Sequence, residues 1–108
     1  MYGTVARLRA KPGTQAEMSA LAREMEAVTI PGQVAGYLYQ LDAAVDEYYM
    51  AVAFESKAAY VANANSPEQD VRYRRLRALL VADPEWHDGE VVSVSSNAPQ
   101  PAVWAQEG

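Results

Sequence analysis

The chain has 108 residues, half of them apolar, a formal net charge of −5 and no cysteine. Those values exclude a wholly disordered chain, a disulfide framework, a thiolate metal site and a cysteine nucleophile. They also argue against broad nucleic-acid binding, which needs a basic footprint.

The length predicts one domain, residues 1–95, with a tail over 96–108 that either stays loose or docks through Trp104. No apolar run approaches the roughly 20 residues of a membrane helix. The opening MYGTVARLRAKPG lacks the apolar core of a signal peptide, so a cytoplasmic protein without a membrane partner is expected.

Tyr2 to Arg9 alternates as a strand does, with Thr4, Ala6 and Leu8 on one face. Lys11-Pro12-Gly13 breaks it. Thr14 and Glu17 then have the spacing of a capping box, and a helix is predicted to about Val28. Met18, Leu21, Ala22, Met25 and Val28 form its apolar stripe. After Pro31-Gly32, a second strand is predicted from Gln33 to Asp42. Tyr37 and Tyr39 lie on one of its faces, an area that marks an interface if left open.

A third strand, Tyr48 to Glu55, is apolar on both faces and so calls for cover on both. Ser56 is placed to cap a short helix from Lys57 to about Ala64. Ser66-Pro67-Glu68-Gln69 is a restart signal, with Ser66 as N-cap, Pro67 at the first position and Gln69 reaching back. The next helix is predicted to bury Val71, Leu76, Leu79 and Leu80 and to stop at Asp83-Pro84. Its Arg72, Arg74, Arg75 and Arg77 follow Glu68 and Asp70, an order that suits the helix dipole and reads as a solvated face. Trp86-His87 reads as a connection, Asp88-Gly89 as a turn, and Glu90 to Ser95 as the last strand.

The predicted order is strand, helix, strand, strand, interrupted helix, strand. This is the split βαβ arrangement of ferredoxin-like α+β domains: a four-stranded antiparallel sheet with helices on one face. The other face carries either the tyrosines or the Met50 and Phe54 row, and nothing in the chain remains to cover it. A symmetric homodimer through that sheet face is the simplest solution.

Three stretches carry a family resemblance: Arg9-Ala10-Lys11-Pro12-Gly13, Pro31-Gly32-Gln33-Val34-Ala35-Gly36-Tyr37, and Ala53-Phe54-Glu55-Ser56-Lys57-Ala58-Ala59-Tyr60. In order and spacing, residues 1–95 resemble the antibiotic biosynthesis monooxygenase superfamily of dimeric α+β barrels. The resemblance implies a homodimer and a pocket in each protomer between sheet and helices. It further implies cofactor-independent oxygenation of quinol-like compounds or oxidative haem degradation. The haem degraders of that superfamily carry Asn, Trp and His where this chain has Ala6, Asn63 and Tyr73, which disfavours haem. Other members carry a Trp and a His where this chain has Phe54 and Asn63.

Oxygenation without a cofactor needs an apolar cavity and a base or hydrogen-bond partner beside a substrate phenol. His87 and Asn63 are the candidate catalytic residues. Tyr60, Asn63, Arg72, Tyr73 and Phe54 are the candidates for binding a small hydrophobic or aromatic ligand. No cofactor and no metal is expected: one histidine and scattered carboxylates offer no ligand spacing. The alternative is a non-catalytic small-molecule binder or a structural homodimer of the same fold.

Overall fold

The computed structural model describes residues 1–97. Its elements are β1 (Tyr2–Arg9), α1 (Gln15–Glu26), β2 (Gln33–Gln40), β3 (Glu47–Phe54), α2 (Lys57–Ala64), α3 (Pro67–Arg77) and β4 (Glu85–Glu90). The four strands form one antiparallel sheet in the order β2-β3-β1-β4. This is the expected ferredoxin-like α+β arrangement. The expectation for Trp104 lies outside the described residues.

Strand register decides which side chains share a face. Thr4, Ala6 and Leu8 of β1 pair with Val52, Met50 and Tyr48 of β3. That face is the covered one: Ala6, Leu8, Ala10, Met18, Tyr48 and Leu80 form the buried core, and Met50, Leu76 and Leu79 pack against it. The opposite face is the tyrosine face. Its cross-strand rows are Tyr37–Ala51–Val5–His87 and Tyr39–Tyr49–Arg7–Glu85. It is open to water, with Val5 47%, Tyr37 51% and Tyr39 58% exposed. The Met50 and Phe54 row therefore belongs to the core, and Phe54 is fully buried.

Tight connections hold the sheet in register. Gly32 adopts φ +80°, where a side chain is strained, and its carbonyl accepts from the Glu55 amide at 2.8 Å. The Lys11 amide donates to the Leu79 carbonyl at 2.8 Å, and the Val81 amide to the Arg9 carbonyl at 2.9 Å. These bonds join the end of β1 to the segment after α3. Arg7 lies between Glu47 and Glu85 on the open face, with Nε donating to Glu47 Oε1 at 2.9 Å.

Several sequence expectations are corrected. The last strand is Glu85–Glu90, so Trp86, His87, Asp88 and Gly89 are strand residues, while Val91 to Ser95 lie outside any strand. The reason is the length of the partner. β4 pairs only with β1, and the ladder runs out where the Val91 amide meets the Met1 carbonyl. The helix predicted to reach Pro84 ends at Arg77. Leu80 instead makes an antiparallel bridge with Ala10. Val71, expected in the core, is 58% exposed because α3 turns another side to the sheet. Thr14 makes no capping bond; its hydroxyl donates to the Lys11 carbonyl at 2.6 Å, within the preceding turn. Gln69 does not reach back either, because its Oε1 accepts from Arg72.

Candidate functional site

Ser56 opens α2 as expected: its hydroxyl accepts from the Ala59 amide at 3.1 Å. Residues three apart share a helix face, which sets Tyr60 and Asn63 side by side. The Tyr60 ring meets Phe54 and Tyr2 edge-on, at centroid distances of 5.6 and 5.3 Å. Its hydroxyl donates to Asp88 Oδ1 on β4 at 2.9 Å. Burial, then the hydrogen bond to Asp88 and its charge, push the Tyr60 pKa up to about 12. The Thr4 hydroxyl opposes that rise. Thr4 is paired across strands with Asp88 and is only 6% exposed, and its Oγ1 has no partner at hydrogen-bonding geometry.

A second group lies on α3. Ser66 caps this helix, accepting from the Gln69 amide at 3.1 Å. Arg72 then reaches back toward α2, donating from Nη2 to Asn63 Oδ1 at 3.3 Å and from Nε to Gln69 Oε1 at 3.1 Å. The next residue, Tyr73, meets Trp86 of β4 at a centroid distance of 6.3 Å. Trp86 and Asp88 are two apart on one strand and so share its helix-facing side. Three side-chain contacts, Tyr60–Asp88, Trp86–Tyr73 and Arg72–Asn63, together with adjacency in sequence along β4, α3 and α2, trace a ring on the helix side of the sheet.

Of the six residues expected at a site, the structure joins four, in two pairs. Tyr60 touches Phe54, Asn63 bonds to Arg72, and Tyr73 follows on the same helix. His87 is apart from them: it pairs with Val5 in the exposed row of the open face. There it borders a hollow of about 310 Å³ with Val5, Tyr37, Ala51 and Gly89. A wider groove of about 520 Å³ runs between α1 and α3, over Met25, Val28 and Val71. Arg72 also lines the groove between α1 and α3, and neither hollow is lined by Tyr60, Asn63, Tyr73, Trp86 or Asp88.

Sequence reasoning missed Thr4, Trp86 and Asp88 as members of this group. Asp88 and Trp86 were read as turn and connection, so their alternation on a strand had no meaning until β4 was placed. Thr4 was assigned to a strand face, yet the burial of its hydroxyl depends on α2 lying above it. Chemically, the ring offers a neutral phenol, an amide that donates and accepts, a held guanidinium, and aromatic surfaces.

The structure resembles solved proteins over nearly its whole length. One is a candidate antibiotic biosynthesis monooxygenase from Chloroflexus aurantiacus J-10-fl, at 23% identity and TM-score 0.74, covering 88% of this chain and 96% of that one. Another candidate of the same description, from Deinococcus radiodurans, has 12% identity and TM-score 0.74, covering 92% and 100%. A third is SnoaB, a cofactor-independent oxygenase from Streptomyces nogalater, in a mutant form. It has 19% identity and TM-score 0.74, covering 86% and 94%. These likenesses concern the fold. No curated protein matches the chain. The family model for antibiotic biosynthesis monooxygenase matches residues 1–71, which hold β1 through α2 and the start of α3. The chain belongs to the antibiotic biosynthesis monooxygenase family.

Proposed function

We propose that this protein is a cofactor-independent oxygenase for a small aromatic or quinol-like compound, held between the sheet and helices α2 and α3. Residues 1–95 are the working domain. The observation that carries this reading is the ring of Tyr60, Asn63, Arg72, Tyr73, Trp86 and Asp88 on the helix side of the sheet. Asn63 and Arg72 hold the substrate oxygen as it becomes a phenolate, and the aromatic rings bind its body. Such a phenolate, or the carbanion in resonance with it, passes an electron to dioxygen. One structural neighbour is a cofactor-independent oxygenase, which supports this class of reaction. On this reading the protein is an oxidoreductase of the cytoplasm. No helix among the described residues is long and apolar enough to cross a membrane.

The reading includes a homodimer closed through the open sheet face. Tyr37, Tyr39 and Val5 are about half exposed there and form a contiguous apolar surface. His87 is then a residue of that interface, beside Val5 and Tyr37. Sedimentation at micromolar concentration is expected to give twice the mass of the chain. A monomer under those conditions overturns this assembly.

One observation favours a second reading, a small-molecule binder or structural dimer without chemistry. Asn63, Arg72 and Gln69 already satisfy one another within the protein. Oxygen uptake with hydroquinone and anthrone separates the two. Uptake supports the oxygenase; binding of anthrone without uptake supports the binder.

A further inference from the structure

The groove of about 520 Å³ between α1 and α3 is apolar where it meets water. Met25 and Val28 line it from the α1 side and Val71 from α3, with Val71 58% and Val28 40% exposed. The Glu24–Arg75 ion pair spans it from helix to helix. Arg72 borders it too, and its guanidinium is held in place by Asn63 and Gln69. Both valines lie on the helix side of the sheet, away from the open tyrosine face. A second copy docked on that face therefore leaves the groove uncovered.

The chain itself carries a segment that fits. Beyond Asn97 its apolar run is Ala102-Val103-Trp104-Ala105, and Trp104 is the one aromatic residue there. The topology brings that segment to the right end of the molecule. β4 leaves the sheet opposite Tyr2, where the Val91 amide donates to the Met1 carbonyl. Tyr2 pairs with Phe54 and Phe54 with Gln33, so α1 returns the chain to this same end before β2 begins. α3 runs away from it, toward the Ala10–Leu80 bridge at the far end. The groove, between the last turn of α1 and the first turns of α3, thus lies toward the end where β4 exits. Trp104 is seven positions past Asn97, an extended reach of about 23 Å, and the molecule is 25 Å across its shortest dimension. We propose that residues 102–105 dock in the α1–α3 groove of their own chain, with the Trp104 indole on Val28 and Val71. The indole buries the two valines, and the fixed guanidinium of Arg72 stacks on its face.

The test uses the full chain carrying Trp86→Phe, which leaves Trp104 as its one tryptophan. Its emission is expected to lie to the blue of N-acetyltryptophanamide, with acrylamide quenching several-fold weaker. Adding Val71→Asp, at an exposed position, is expected to return both to the free values. Val45→Asp, exposed and outside the groove, is expected to change neither. Nuclear Overhauser contacts in the wild-type chain read the site without any substitution: the Trp104 indole protons are expected to meet the Val28 and Val71 methyls. In a mixture of two isotopically distinct copies, those contacts are expected to arise within one copy. Contacts that arise only between copies overturn docking in the same chain, and contacts to Tyr37 or Tyr39 overturn it by seating the indole on the open face. Free-tryptophan emission and quenching in the Trp86→Phe chain, or a Val71→Asp chain that keeps the blue-shifted emission, overturns it as well.

Discussion

At the scale of single residues, Tyr60 ties the candidate site to the fold. Its ring packs between Phe54 and Tyr2, and its hydroxyl is fixed on Asp88. Its pKa in the folded protein is about 12, against an ordinary value of 10.0. The unfolded chain therefore releases this proton first. The stability gained is fully present below pH 10 and is lost as pH rises through 12. Absorbance titration of the phenols is expected to show one tyrosine ionising near pH 12 that is missing in Tyr60→Phe. Gly32 is the second informative residue. At φ +80°, an added Cβ would lie 2.7 Å from Ala59 Cβ. Gly32→Ala is expected to destabilise the protein by about 1–2 kcal/mol for the backbone alone, read from the urea midpoint.

At the scale of elements, the caps were legible and the strand boundaries less so. Ser56 and Ser66 each accept from the amide three residues on, as their positions in the sequence imply. Replacing either by Ala is expected to cost about 1 kcal/mol in urea unfolding. The Lys57–Ala64 helix falls where the sequence placed it, because local capping decides its start and Asn65 and Ser66 its end. β4 was misplaced because local pattern does not carry the deciding fact. Val91, Val92 and Val94 have the composition of a strand, but β1 ends opposite Val91 and offers no further partner. Glu85 to Glu90 is polar, yet it pairs along β1 from Arg7 to Tyr2. An edge strand takes its place from its neighbour rather than from its own hydropathy. The same displacement hid Asp88 and Trp86 from the site and set His87 on the other face, because neighbours along a strand point to opposite sides.

At the scale of the whole molecule, the order of elements was enough to give the sheet and its covered face. Alternation alone left open whether the tyrosines or the Met50 and Phe54 row met water. The pairing of β1 with β3 settles that, because Leu8 and Ala6 must share a side with Tyr48 and Met50. The molecule then has two working faces. One is the open tyrosine face, proposed as the dimer contact. Tyr39→Arg is expected to shift the protein toward monomer in sedimentation without loss of helical circular dichroism, since Tyr39 is 58% exposed and outside the core. The other face bears the ring beneath α2 and α3, the proposed centre of function. Its most direct test is oxygen uptake with anthrone by wild-type and Asn63→Ala protein, compared at equal folded concentration. The account predicts wild-type uptake that drops roughly tenfold or more in Asn63→Ala, as the loss of an oxyanion partner requires. Equal uptake by the two proteins, or none by the wild type, would contradict it.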